Sequence, residues 1–558
     1  MRLAILMIAA AGLMGAETWN SLVDRYFNDL YFKYNPTQAT STGFHQFDSA
    51  LEDYSQTAIH QELASLARFE HEINAFSGAP VNDKELLLAN IHATRLALES
   101  IRMWEKNPDL YSSGASSSAF AIMSRKFASP EARLTSLIAR EKQMPKLFAD
   151  ARANLKNPPR IYTEVALEQL PGILSFFETD VPAAFKDVSG RALLDEFHQA
   201  NGAVISALNS YQAWLRNDLL PRSHGDFRIG ADNYRNKLAY EDMVDIPLDR
   251  LLEIGYADLR RNQQAFRDIA KKIDPTKTPQ QILEQAEKNH PAPDQLLKAF
   301  RDTLEGLRSY IVQHRIATIP SPVLPIVEET PPFARALTFA SLDMPGPYEK
   351  VAKEAFFNVT LPEKNWTSQA VAEHMAAFNR GVIISTAVHE AYPGHYLQGM
   401  WLDRAPSKTM KLIGANTYIE GWAHYCEQMM LDEGYGNGDP TLRLGQLQDA
   451  LLRNARFIAG IQMHTGKMTY EQGVDFFVKE GFQTRTNGER ETKRGTSDPT
   501  YLYYTLGKLE ILKLRDDYKK LKGSSFNLED FHNKFLSQGA PPIKMVRRIM
   551  LGNDTRVL

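Results

Sequence analysis

The chain has 558 residues, 43% hydrophobic and 23% charged, which supplies ample material for a buried core and excludes a disordered, charge-dominated chain. Lys plus Arg number 64 against 67 Asp plus Glu, a net charge of −3, so neither the basic balance of a nucleic-acid binder nor a polybasic membrane anchor is present. There is one cysteine, Cys426, so no intramolecular disulfide can form in any compartment.

The first residues, MRLAILMIAAAGLMGAETW, place Arg2 before an apolar run from Leu3 to Met14, then the small pair Gly15 and Ala16. This is the layout of a secretory signal peptide over residues 1–16; the alternative is a buried N-terminal helix. An exported chain is expected, periplasmic or secreted. Cys426 lies far from this segment, which argues against a lipid-anchored N-terminus. No later stretch reads as transmembrane, so no membrane association is expected once the signal is removed.

Residues 17–319 read as helix after helix. Leu66, Phe69, Ile73 and Phe76 fall at steps of three and four, as do Leu252, Tyr256, Leu259, Phe266, Ile269 and Ile273. These are core stripes. The breaks GAPVND (78–83), KNPPR (156–160) and IDPTKTPQ (273–280) separate the helices. The texture changes over 320–366, where seven prolines between Pro320 and Pro347 exclude a continuous helix. Between them PIVEE and RALTFASL read as short strands, followed by FFNVT (356–360). They could form a small sheet whose edge receives an extended peptide, or equally a proline-rich connection. Helices resume over 367–558, where the dense chemistry lies. The expected fold is mainly α: a large two-lobed helical protein, the first half forming one wall of a cleft, with a small β-sheet beside the active-site helix.

Within that last segment, residues 389–395 read HEAYPGH. Zinc-binding helices present His-Glu-x-x-His, with the second His four places on and about 40° round the axis. Here it comes six places on, about 240° round a regular helix. Pro393 lacks a backbone donor and its ring clashes with the carbonyl of His389, while Gly394 can adopt backbone angles other residues avoid. A local irregularity at Tyr392-Pro393-Gly394 would return His395 to the side of His389. The other His-Glu pair in the chain, His71 and Glu72, lies on an ordinary amphipathic pattern. The approach GVIISTAVHE, by contrast, is apolar, so His389 and Glu390 are expected at the end of a buried helix, where polar groups need partners.

Twenty-five residues after His395, the segment NTYIEGWAHYCEQMML places Glu420, His424 and Glu427 on one helix face. Two imidazoles and a carboxylate with an open fourth position make a catalytic zinc set. His389, His395 and Glu420 are the expected ligands of one zinc ion. His424 and Glu427 are candidates to orient the ligands or contact substrate.

HEAYPGHYLQ, EGWAHYCE, PGPYE and DPTYLYYTLGKLEILKLR together resemble the bacterial family called domain of unknown function 885, grouped with gluzincin-like metallopeptidases. The resemblance runs from GFHQFDSALEDYS (43–55) to PIKMVRRIM (542–550). It implies a mostly helical, cleft-bearing zincin-like fold, zinc on His389, His395 and Glu420, and Glu390 as general base. It also implies roles for Arg456 and His464 in RFIAGIQMH and for Arg494 and Tyr504, with Tyr503 an adjacent alternative to Tyr504. Where many members carry Asp-Thr-Gly before that His, this chain has Gly460, Ile461 and Gln462.

The expected function is a zinc metallopeptidase acting on short peptides. Glu390 would take the proton of the attacking water, His464 or Tyr504 would meet the oxyanion, and Arg494 or Arg456 would hold a peptide carboxylate. Two other classes stand beside it: a peptide-binding protein that keeps the scaffold without turnover, and a helical di-metal oxidoreductase. An intact Glu390 argues against the first. The second needs carboxylates from several helices with Glu-x-x-His pairs, whereas here the spacing is Glu420-x-x-x-His424.

Overall fold

The computed structural model describes residues 17–331, 335, 338–364 and 366–558. The signal-peptide segment 1–16 lies outside them, as does part of RALTFASL. Among the described residues the protein is mainly helical, with one three-stranded sheet.

The apolar stripes become buried helix faces. On Gln56–Ala75, Leu66, Phe69 and Ile73 point inward, and on Leu248–Ile273 so do Leu252, Leu259 and Phe266. The breaks fall where proline and capping residues put them. The helix Gln56–Ala75 is followed by one that starts at Val81, directly after Pro80. After Ile273, Thr278 and Gln281 form a reciprocal capping box that opens Pro279–Ala286.

Strands β1 (Ile326–Glu329), β2 (Ala340–Asp343) and β3 (Phe356–Val359) make a sheet in the order β1-β3-β2. β1 runs parallel to β3, and β2 antiparallel to it. The proline-rich stretch thus holds strands as well as a connection. Phe357 of β3 packs on Phe300 of the helix Leu296–Gln313, their rings 5.1 Å apart. β2 lies against the helix Arg380–Glu390, which also packs on Leu296–Gln313.

Cores run across the change of texture at residue 319. One hydrophobic cluster joins residues of Leu296–Gln313, the sheet and the helices from Arg380 onward, including Phe300, Phe357, Val388 and Trp422. Another joins Leu251 and Leu259 to Leu451, Phe457 and Leu506. A third, around Phe148, Phe177 and Tyr211, belongs almost entirely to the first 220 residues. The later helices of the first half are therefore a platform for the second half.

A candidate metal centre

The helix Arg380–Glu390 starts at Asn379, whose side chain accepts from the Val382 amide at 3.1 Å. It buries Ile383, Ala387 and Val388 and delivers His389 and Glu390 at its last turn. Here the chain does more than bulge. Pro393 offers no amide, and the Gly394 amide reaches back to the Val388 carbonyl at 3.0 Å. A Cβ at position 394 would sit 1.8 Å from the His389 carbonyl oxygen, so only glycine passes through this point. A new helix, His395–Trp401, begins at once. The Trp422 indole donates to the Pro393 carbonyl at 2.8 Å, pinning the break to the helix Asn416–Asp432.

The consequence is convergence. The rings of His389 and His395 stand 4.9 Å apart, nearly perpendicular at 86°. Glu420, from Asn416–Asp432, places Oε2 3.4 Å from His389 Nε2 and 3.4 Å from His395 Nε2. One ligand atom from each of the three residues lies within 4.8 Å of the others. Zinc bonds of roughly 2.0–2.1 Å at tetrahedral angles set neighbouring ligand atoms about 3.4 Å apart. The spacing therefore fits a cation better than direct hydrogen bonds between the same groups, and the buried Glu420 Oε2 has no hydrogen-bond partner. The donor set, two imidazoles and a carboxylate, suits zinc.

The surroundings leave the correct nitrogens free. A carboxylate can only accept, so His389 Nδ1–H donates to Glu427 Oε1 at 2.7 Å and Nε2 is the nitrogen left facing Glu420. His395 Nδ1 is turned to Gln398 Oε1 at 3.4 Å, again leaving Nε2 on the ligand side. Glu427 also accepts from His424 Nδ1 at 3.0 Å and pairs with Arg453 Nη2 at 3.0 Å. Burial works against its charge, but Arg453, His424 and His389 outweigh it and hold the carboxyl well below the usual range. Burial also opposes a charged His389, yet Glu420 and Glu427 push its pKa up to about 10, and a proton competes with a metal ion for the same lone pair. His424 is pushed the other way, to about 3, by burial and then by the nearby Lys508, and stays neutral. Glu390 is half-buried and makes no hydrogen bond or ion pair with the described residues.

The helix crossing that carries Glu420 depends on two glycines. Asn416–Asp432 packs on Tyr503–Lys522 so closely that a Cβ at Gly507 would lie 1.9 Å from the Thr417 carbonyl oxygen, and one at Gly421 2.5 Å from the Gly507 Cα. This approach brings Tyr504 to the centre, its ring 6.3 Å from that of His389. The guanidiniums of Arg453 and Arg456 lie 5.4 and 5.2 Å from the Tyr504 ring centre. Arg494 Nη2 reaches the Tyr503 and Tyr504 hydroxyls at 3.4 and 3.5 Å and Asp498 at 3.1 Å. Tyr503 donates to Asp498 at 3.0 Å.

Two residues named from the sequence are occupied elsewhere. Arg456 is held in a buried two-point pair with Glu491, at 2.7 and 2.9 Å, so its fork is filled. His464 lies three turns beyond Arg453 on the helix Pro440–His464, about 16 Å along its axis. It donates from Nε2 to the Gly495 carbonyl at 2.8 Å and accepts the Ile229 amide on Nδ1 at 3.4 Å. Backbone groups hold this ring, and burial lowers its pKa to about 4. The structure does not bring it to the ligand cluster. Sequence reasoning, in turn, missed Arg453 and Gln398. Arg453 sits in LLRNARF one turn before Arg456, a charge inside an apolar pattern, and that was its only signal.

The sequence matches a family model described as "Bacterial protein of unknown function (DUF885)" over residues 36–550. Among solved structures it is similar to a suggested lipoprotein of unknown function from Shewanella oneidensis, 28% identical, with a TM-score of 0.81 over 96% of this chain and 100% of that one. A suggested lipoprotein from Colwellia psychrerythraea, 20% identical, shares the fold with a TM-score of 0.80 over 96% of this chain and 98% of that one. No curated protein matches.

Proposed function

Because the chain belongs to the DUF885 family, whose description assigns no activity, we propose a function from its geometry: zinc-dependent hydrolysis of peptide bonds in short peptides. One observation carries the reading. Two imidazole Nε2 atoms stand 3.4 Å from one buried, otherwise unpartnered carboxylate oxygen. A zinc ion held by His389, His395 and Glu420 would supply Lewis acidity to the attacking water and the scissile carbonyl. Glu390, next in the chain to His389, accepts the proton of that water and passes it to the leaving amine. Glu427 and Arg453 hold His389 in the tautomer that ligates. The Tyr504 hydroxyl, with Arg494 beside it, is the donor best placed for negative charge developing on the carbonyl oxygen. β2 is an edge strand against the ligand helix, and its outer side can add an extended peptide by backbone hydrogen bonds. The two structural neighbours are suggested lipoproteins, which supports an exported location for this chain.

The test is incubation of the protein with a mixed peptide pool, followed by mass spectrometry of the products and metal analysis of the same sample. Cleavage that stops with chelator and returns with zinc is expected. A zinc-loaded protein that leaves every peptide intact overturns the reading and favours a binding protein.

A further inference from the structure

The geometry points to a second recognition element, resting on the peptidase reading: a cavity that takes a carboxylate of the substrate, from its free C-terminus or an acidic side chain, a few residues from the scissile bond. The cavity, about 270 Å³, lies between the helix Arg485–Ser497 and the helices Asp109–Met123 and Arg160–Ser175. Arg490, Lys493 and Arg494 form one wall; Asp109, Tyr162 and Gln169 contribute to the other. Its volume falls below the roughly 300–1,000 Å³ of pockets that engulf a whole small ligand, so it suits the end of a longer one.

The charge on the walls selects the ligand. Three cations come from one helix in a protein whose net charge is −3, so the concentration is local. Lys493 pairs at 2.7 Å with Glu168, whose side chain is 64% exposed, a tether that solvent weakens. Arg494 pairs with Asp498 at 3.1 Å. Asp109 on the opposite wall accepts from Ser112 and Ser113, and burial raises its pKa. Arg490 has no carboxylate partner among the described residues; it donates to Asn487 at 2.8 Å and lies over the Phe339 ring at 5.7 Å. One cation left to pair calls for a monoanion, hence a carboxylate over a phosphate dianion.

Arg494 links this cavity to the ligand cluster. It lines the cavity, and its Nη2 is 3.5 Å from the Tyr504 hydroxyl, whose ring in turn is 6.3 Å from that of His389. Two side chains therefore separate the two places. An extended peptide advances about 3.3 Å per residue, so a few residues can bridge the two places. A free C-terminus is the carboxylate every short peptide carries, and this cavity would favour such peptides over internal segments of long chains.

The experiment measures binding by calorimetry on the zinc-loaded Glu390→Gln protein, so that the probe survives. The probes are tetra-alanine, its C-terminal amide, and the same amide with Glu as last residue. The free acid is expected to bind about tenfold more tightly than the amide. In the double variant Arg490→Gln/Lys493→Gln that ratio should fall to near one, with thermal unfolding checking that the substitutions, at exposed and half-exposed positions, leave the fold intact. If the Glu-containing amide regains the affinity, a side chain serves as well as the terminus; if it does not, the terminus is the ligand. Equal binding of acid and amide, a ratio unchanged in the double variant, or no binding of any probe overturns the cavity assignment. Cleavage by the intact protein without an acid preference would remove the cavity and leave the peptidase reading standing. An acid preference without cleavage would do the reverse.

Discussion

Two helices of this protein carry the dipeptide His-Glu, and they meet opposite fates. His71 and Glu72 lie near the end of Gln56–Ala75 at the surface, His71 exposed and Glu72 in an ion pair with Arg25 at 2.6 Å. His389 and Glu390 end a helix whose flank is buried, and every nitrogen of His389 has an acidic neighbour, Glu427 on Nδ1 and Glu420 on Nε2. After Glu72 the helix continues to Ala75; after Glu390 it stops, and Pro393-Gly394 turns the chain back on His389. The dipeptide supplies donor atoms in both places. What makes a candidate metal centre of one is a fixed proton on the far nitrogen and two further potential ligands arriving from elsewhere.

The comparison breaks most completely at Glu420. Glu420→Ala should abolish metal retention, with zinc per chain falling from one to near zero after dialysis; full zinc content would exclude Glu420 as a ligand. Glu390→Gln separates the two members of the dipeptide. It should keep the metal while turnover falls by about 10²–10⁴, the range for a lost general base, measured as initial rates at equal zinc loading. Gly394→Ala attacks the turn that distinguishes the two helices. Its Cβ would meet the His389 carbonyl at 1.8 Å, and displacing the ligand backbone should cost on the order of 10²-fold in activity, with a lower unfolding temperature in the same preparation. Glu427→Gln removes the charge behind His389, and zinc affinity by competition with a chelator should drop about 10–100-fold. The smallest effect belongs to the control helix: His71→Ala should change stability by no more than about 0.5 kcal/mol and leave zinc content and rate as they were.

Much of the fold was legible because its signals are local. The stripe of Leu66, Phe69 and Ile73, the capping box at Thr278 and the proline punctuation around residues 80 and 159 each depend on neighbours within a few places. The strands PIVEE and FFNVT were legible for the same reason, but their pairing was not: β2 lies between β1 and β3 in sequence and at the outer edge in space. Of the site, His389, His395 and Glu420 stood out by residue type and spacing. Arg453 did not, because an arginine inside an apolar helix gives no sign of which distant carboxylate it faces. His464 shows the opposite case. Its resemblance-based role placed it at the centre, whereas the contacts of its two nitrogens with Gly495 and Ile229 are made across 31 and 235 residues of chain.

From its sequence alone the protein had its helices, its core stripes, an interrupted His-Glu motif and three polar groups on one face from Glu420 to Glu427. Those features follow from backbone sterics and from periodicity, which act over one or two turns. Only the folded chain decided that Gly421 and Gly507 let two helices touch, that Trp422 holds the break at Pro393, and that Glu427 serves His389, His424 and Arg453 together. Such meetings depend on how elements far apart in the chain pack in three dimensions, and no local pattern of residues encodes that.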